Sequence, residues 1–110
     1  MTAGRFGAST LLSAKALRIY ADRGLLVPRR VDAETGYRYY SGDQVPTGWL
    51  IALLRSADLS LDQIASIVDL SDTDPDAAVA LIDEATAAMD RRTQAHHVVL
   101  ARARLHLTKE

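Results

Sequence analysis

Three arginines and three tyrosines lie between Arg29 and Tyr40, and these residue types together are suited to holding phosphate groups. Guanidinium groups donate paired hydrogen bonds to phosphate oxygens, and phenol hydroxyls donate single ones. The residues that could do so are Arg29, Arg30, Tyr37, Arg38 and Tyr40. Tyrosines in a small domain are also common in packing. Taken alone, the segment favours packing for the tyrosines, with phosphate binding as the alternative.

A second polar group lies at helical spacing between Ser13 and Gly24. Ser13 can cap a helix that begins at Ala14, and Gly24 can end it. One face of this helix is apolar and is expected to pack, at Leu17, Tyr20 and Ala21. Lys15 and Arg18 project from another face. The pattern predicts a helix with one packed face and one cationic face.

Two elements around this helix predict a helix-turn-helix with a wing. A short first helix around Arg5 to Thr10 precedes it, joined by a turn at Leu11 and Leu12. After it, Thr35-Gly36 is a turn pair between two arms, which predicts a small β-hairpin over residues 29–40. The predicted fold class is mainly α, with this hairpin as the wing.

Two further helices are predicted from capping boxes, one at Ser41 to Gln44 and one at Ser60 to Gln63. Pro46 is tolerated only in the first turn of the third helix. The apolar faces predicted to be buried are Val45, Trp49, Ala52 and Leu53 on the third helix and Leu61, Ile64, Ala65 and Val68 on the fourth. Trp49 in particular is expected in the core.

Charge is divided unevenly along the chain, although the net charge is only −1. Residues 1–57 hold eight Lys/Arg against four Asp/Glu, a net charge of +4, and residues 58–110 have a net charge of −5. Phosphate neutralisation is a local property, so the front half is the part expected to meet a polyanion. A solvated surface with uneven charge would give the same count.

The chain lacks the residues that several kinds of functional site require. There is no cysteine, which excludes disulfides and thiolate metal sites. His96, His97 and His106 do not form a metal-binding spacing, and no phosphate loop or nucleophile motif is found, so we expect no metal, cofactor or catalytic site. The longest apolar run is far below the roughly 20 residues of a membrane span, and a cytoplasmic location is expected.

The C-terminal segment predicts a long helix that pairs with another helix. From Asp76 onward there is no Gly or Pro, and one set of positions recurs at spacings of three and four. We call this set the seam: Val79, Ile82, Thr86, Met89, Thr93, His96, Leu100, Ala103 and Leu107. A helix of about 30 residues would be roughly 45 Å long, more than a domain of this size can cover. A partner helix is favoured over a helix folded back on the domain.

The order of four motifs resembles the MerR family of transcription regulators over essentially the whole chain. The motifs are Ala16-Leu17-Arg18-Ile19-Tyr20, Arg23-Gly24-Leu25-Leu26-Val27-Pro28, Thr35-Gly36-Tyr37-Arg38-Tyr39-Tyr40-Ser41, and Leu53-Leu54-Arg55 with Leu59-Ser60-Leu61-Asp62-Gln63-Ile64. The resemblance implies a winged helix-turn-helix domain over residues 1–71. It also implies a linker and an antiparallel coiled-coil dimerisation helix over residues 72–110.

The resemblance further implies a function and a set of contacts. A homodimer would bind double-stranded promoter DNA, bend it between the recognition elements of RNA polymerase, and have the polymerase itself as a partner. The second helix would enter the major groove and the wing would hold backbone phosphates. The residues implied in DNA contact are Ser13, Lys15, Arg18, Tyr20, Arg29, Arg30, Tyr37, Arg38 and Tyr40.

Departures from the family pattern keep a second function class open. Ile19 stands where the family usually has a tyrosine, and Leu11 replaces the turn glycine. A dimeric protein-interaction adaptor that kept the fold without base recognition is the alternative. Family members usually carry an effector-sensing part after the dimer helix, for which 110 residues leave no room. The chain is therefore expected to be a fragment or a short regulator without its own sensor.

Overall fold

The computed structural model describes residues 1–109, which form five helices and one hairpin. In chain order these are α1 (Ala3–Thr10), α2 (Ala14–Asp22), β1 (Arg30–Val31), β2 (Arg38–Tyr39), a 3-10 turn (Gly42–Gln44), α3 (Val45–Ser56), α4 (Leu61–Ser71) and α5 (Pro75–Thr108). The mainly α fold with a hairpin wing and a long C-terminal helix is confirmed. Among the described helices, none is both long enough and apolar enough to cross a bilayer.

The core lies where α1, α2, α3 and α4 meet. Apolar residues at helical spacing on each of these helices are buried, as expected for amphipathic helices that pack round one centre. The buried apolar side chains here are Phe6, Leu12, Ala16, Leu17, Tyr20, Leu26, Tyr40, Ile51, Leu54, Ile64 and Ile67. Since α2 and the wing both contribute residues to this core, their positions relative to each other are fixed by packing.

Helix α1 ends in a residue with strained backbone. Thr2 caps its start, accepting a hydrogen bond from the amide of Arg5, and Leu11 follows its end with φ of 63°. This left-handed conformation costs an ordinary L-residue roughly 1–2 kcal/mol, and glycine adopts it without that cost. Leu11 is also 75% exposed, so its side chain contributes little to the core. The turn forms without the family's glycine, at an energetic cost.

Leu11→Gly is therefore expected to raise the free energy of unfolding by about 0.5–1 kcal/mol, once the entropy of the glycine in the unfolded chain is subtracted. Urea denaturation of the two proteins would measure the difference. Leu11→Ala is the matched control, because alanine removes the same exposed side chain but retains the left-handed penalty. A gain of equal size in both variants would contradict the backbone explanation.

The wing is a short antiparallel hairpin with an ordered tip. Arg30 pairs with Tyr39 and Val31 with Arg38. At the tip, the Asp32 carboxylate accepts hydrogen bonds from the amides of Glu34 and Thr35 at 2.9 and 3.0 Å. These bonds close a turn in which Gly36 has φ of 74°, a conformation that suits glycine. The predicted Thr35-Gly36 turn is confirmed.

Helix α3 buries a different face from the one predicted. Trp49 is 45% exposed and Leu53 60% exposed, so the expectation that they are core residues is wrong. The buried positions are Gly48, Ile51 and Leu54. The reason is a close approach at Gly48, where an added Cβ would lie 2.6 Å from Cγ2 of Thr10. The tight contact with α1 rotates Trp49 towards solvent, while Pro46 lies in the first turn as expected.

Gly48→Ala is expected to lower the free energy of unfolding by about 1–2 kcal/mol, because overpacking outweighs the better helix propensity of alanine. Thr10 cannot easily yield, since it is fully buried and its hydroxyl donates to the carbonyl oxygen of Phe6 at 2.8 Å. Thermal unfolding would measure the loss. Gly4→Ala in α1 is the control, because no atom lies within 4 Å of its added methyl. A Gly48→Ala protein as stable as the wild type would show that the contact between Gly48 and Thr10 does not determine which face of α3 is buried.

Helix α5 packs on α4 only through its first turns. Ala78 and Ala85 are buried, and Ile82 and Met89 are partly buried. From Asp90 to Lys109 every side chain is exposed. The first half of the helix folds back on the domain. Arg92, Thr93 and His96 still border Ala57 and Asp58 across an open pocket. The predicted division at residue 72 lies between the end of α4 and the start of α5 and stays a prediction.

Candidate nucleic-acid interface

The outer face of α2 is cationic, because the helix packs by its other face. Ser13 caps the helix and accepts a hydrogen bond from the amide of Ala16 at 3.1 Å. Ala16 and Leu17 are buried, whereas Lys15 and Arg18 are exposed. Neither cation forms an ion pair among the described residues. Both are available to an anionic partner.

The wing presents a tyrosine and an arginine beside α2. Tyr37 is 64% exposed and Arg38 is half-buried. The tip that positions them depends on Asp32, and the backbone amides of Thr35 and Glu34 lower the pKa of its carboxyl. Because the folded-state pKa is lowered, the stability that these hydrogen bonds contribute is fully present above the ordinary aspartate pKa and is lost as the pH falls through the lowered folded-state pKa.

A cleft of about 480 Å³ separates α1, α2 and the wing. Four of the predicted DNA-binding residues line it, namely Arg18, Tyr37, Arg38 and Tyr40. Its floor includes small residues of α1 that the sequence reasoning did not single out: Ala3, Gly4, Gly7 and Ala8. The only sequence signal for them is the run of small residues at helical spacing. The cleft brings α2 and the wing together around one open space.

Tyr20 and Tyr40 are core residues, at 3% and 2% exposed. Burial raises the pKa of both hydroxyls. The Tyr40 ring stacks on Phe6 with ring centroids 4.3 Å apart, and its buried hydroxyl has no hydrogen-bond partner among residues 1–109. For both tyrosines, this burial favours packing over direct contact with DNA.

Arg29 and Arg30 lie outside the cleft and already have partners. The Arg29 guanidinium is 3.3 Å from a carboxylate oxygen of Asp43. The Arg30 guanidinium lies 4.2 Å from the ring centroid of Tyr39. Both arginines are exposed, so these contacts are weak. Ser13 and Lys15 are also outside the cleft, at the N-terminal end of α2.

The seam residues divide into two groups in the structure. Ile82 and Met89 are partly buried against the same chain, whereas the other seam residues are exposed: Val79, Thr86, Thr93, His96, Leu100, Ala103 and Leu107. His96 and His97 project in different directions. Within residues 1–109, no group of three or more His, Cys, Asp or Glu side chains could hold a metal ion.

Comparison with known proteins gives the same family for the N-terminal part. The family described as "MerR HTH family regulatory protein" matches residues 1–70. The HTH-type transcriptional regulator CueR of Vibrio cholerae is 36% identical over 73 residues, which cover 66% of this chain and 51% of CueR. The transcriptional regulator BrlR of Pseudomonas aeruginosa is 38% identical over 64 residues, 58% of this chain and 24% of BrlR. The chain spans about half or less of these relatives.

Solved structures match nearly the whole chain. The regulator PbrR691 from Ralstonia metallidurans CH34, crystallised with lead(II), has a TM-score of 0.71 and 27% identity, covering 94% of this chain and 81% of PbrR691. EcmrR, solved with DNA in an assembly named EcmrR-RPo, has a TM-score of 0.76 and covers 97% of this chain and 38% of EcmrR. EcmrR is 23% identical and supports the fold alone. Because the family match covers residues 1–70, which is well over half of this chain, the chain belongs to the MerR HTH family.

Proposed function

We propose that this chain is a transcriptional regulator that binds promoter DNA sequence-specifically as a homodimer. One observation carries the proposal: Arg18 of α2, the proposed recognition helix, lines the same open cleft as Tyr37 and Arg38 of the wing. One element can therefore reach base edges while the other holds the backbone beside it. CueR and BrlR, which are similar over the N-terminal part, are named as transcriptional regulators.

Each element has a distinct task in this proposal. Helix α2 enters the major groove with Lys15 and Arg18 on its outer face, where Arg18 can donate to base edges. Tyr37 and Arg38 hold a phosphate with charge-assisted hydrogen bonds. Tyr20 and Tyr40 act indirectly, since their burial fixes α2 and the end of the wing against the core. In this division of contacts, α2 determines sequence specificity and the wing contributes affinity that does not depend on sequence.

The dimer supplies the second half of the site. Two copies paired through α5 would present two recognition helices to successive major grooves, about 34 Å apart on a palindromic site. Bending of the DNA between the half-sites would add specificity through deformability, with RNA polymerase as the partner that reads the result. Such a regulator works where bacterial DNA lies, in the cytoplasm.

Mobility shifts across several salt concentrations would test this function. The purified chain would be mixed with its own promoter-region DNA and with scrambled DNA of equal length. We expect preferential binding to the promoter region that weakens steeply as salt rises, because bound counterions are released. Equal affinity for both duplexes would reject sequence specificity. Absence of binding even at low salt would favour the protein-interaction adaptor.

A further inference from the structure

Helix α5 separates its charges by sign along its length. From Pro75 to Asp90 it holds four acidic residues and no Lys or Arg: Asp76, Asp83, Glu84 and Asp90. From residue 91 to 108 it holds four arginines and no acid: Arg91, Arg92, Arg102 and Arg104. Both described ion pairs of the chain lie outside α5. The two opposite charges of the helix are therefore available to another molecule.

The helix dipole does not account for this separation. A dipole favours acids in the first turn and bases in the last turn, and its effect falls off beyond them. Asp83 and Asp90 lie two and four turns from the start, so they gain little from it. A second copy of the same helix, running in the opposite direction, would place each acidic half beside a basic half. Parallel pairing would place like charges together.

The residues that flank the seam further restrict the register in which two α5 helices can pair. In heptad terms, Asp83, Asp90, His97 and Arg104 flank the seam on one side, and Ala85, Arg92, Val99 and His106 flank it on the other. A dyad at Arg91, where the charge changes sign, would bring Asp90 against Asp90 and Arg92 against Arg92 of the partner. Such like-charge contacts are unfavourable. Sliding one helix by one heptad along the other removes both the Asp90 contact and the Arg92 contact.

We propose that the antiparallel pair of α5 helices implied by the family resemblance has its dyad between Gln94 and Ala95, in a register selected by the flanking charges. This inference rests on the homodimer of the proposed function. In this register Asp83 faces the partner's Arg104, and Asp90 faces the partner's His97. Within the seam, Ile82 meets the partner's Leu107 and Met89 meets the partner's Leu100. The large apolar side chains are thus opposite one another.

Packing within the chain leaves room for this partner. Ala78, Leu81 and Ala85 lie on the face of α5 that packs on α4, since two are buried and Leu81 is partly buried. Asp83, Thr86 and Asp90 are all exposed on the remaining surface. Ile82 and Met89 lie at the border of the two faces. The partner helix would cover the side of α5 that α4 leaves open.

Cysteine cross-linking would test the register, and the absence of native cysteine makes the background clean. Thr86→Cys, Ala103→Cys and His96→Cys chains would be mixed in pairs, refolded together and oxidised. We expect a disulfide between Thr86→Cys and Ala103→Cys chains. A disulfide between Thr86→Cys and His96→Cys chains would indicate the dyad at Arg91, and one within Thr86→Cys alone would indicate parallel pairing. Either result would overturn the proposal.

Charge reversal would test what selects the register. Arg104→Glu should raise the dimer dissociation constant about tenfold at low salt, because two flanking pairs become repulsive. Asp83→Arg combined with Arg104→Glu should restore it, whereas under the dyad at Arg91 the new glutamate would face Asp76 and stay repulsive. Arg102→Glu, which points away from the seam, is the matched control. Failure of the double variant to recover would overturn the proposal.

Sedimentation equilibrium of the wild-type chain separates this inference from the function on which it rests. A wild-type dimer that cross-links in another register contradicts only the register. A wild-type monomer contradicts the homodimer and the register together. DNA binding is read separately by mobility shift, so loss of the register leaves the proposed regulator function testable on its own.

Discussion

Leu100→Lys is expected to convert the dimer to monomers at micromolar concentration. Leu100 is 64% exposed in the single chain, and the proposed homodimer buries it in the seam. Burying one leucine contributes roughly 1.5–3 kcal/mol, and each dimer has two copies. The dimer dissociation constant should therefore rise roughly 10²–10⁴-fold, before any cost of placing two ammonium groups in the seam. Sedimentation equilibrium would measure the change.

Leu105→Lys is the matched control for this substitution. Leu105 is 69% exposed, close to the value for Leu100, but it lies off the seam on the opposite side of the helix. It should leave the dimer intact, so the contrast isolates position from the introduction of charge. Equal weakening by the two lysines would contradict the seam, and so would a Leu100→Lys dimer of normal stability.

Monomers of Leu100→Lys should also bind a palindromic site poorly. A dimer holds its second recognition helix at high effective concentration once the first is bound, and a monomer loses this advantage. Apparent affinity should fall by about 100-fold or more, while binding to an isolated half-site stays unchanged. The domain should stay folded, since Ala78 and Ala85 still pack on α4.

Local chemistry made the recognition helix and the wing predictable. The Ser13 cap, the Gly24 stop and the Thr35-Gly36 turn each act within a few residues, and each lies where the sequence indicated. The capping box at Ser60 starts α4 as predicted, whereas Ser41 and Gln44 enclose the 3-10 turn that precedes α3. Interactions of this kind depend on neighbours in the chain, so a sequence contains most of the information that they require.

Features that depend on distant partners were missed. Trp49 is exposed because Gly48 allows α3 to approach Thr10, a contact between helices that hydrophobic periodicity cannot reveal. The pairing of Arg29 with Asp43 is also a tertiary contact. So is the stacking of Tyr40 on Phe6, which favours the packing role that the sequence analysis had named. For the candidate site, residue types identified the arginines that could bind DNA. Only the fold shows that Arg18 and Arg38 line the cleft, whereas Arg29 and Arg30 lie outside it.

Arg38→Ala is expected to weaken binding to every DNA sequence by about 100-fold at moderate salt. Arg38 lines the cleft, and a charge-assisted hydrogen bond to a phosphate contributes about 1.5–3 kcal/mol in each subunit. Losing one phosphate contact in each subunit should also reduce the slope of log affinity against log salt by about two. Mobility shifts on promoter and scrambled DNA would measure both effects.

Arg18→Ala and Arg29→Ala distinguish this backbone role from others. Arg18 is proposed to meet base edges, so its loss should reduce the preference for promoter over scrambled DNA, whereas Arg38→Ala should leave that ratio nearly unchanged. Arg29 lies outside the cleft with its guanidinium 3.3 Å from Asp43, so Arg29→Ala should change affinity much less. If Arg38→Ala weakened promoter binding alone, or if Arg29→Ala matched its effect, the cleft would not be where the backbone is held.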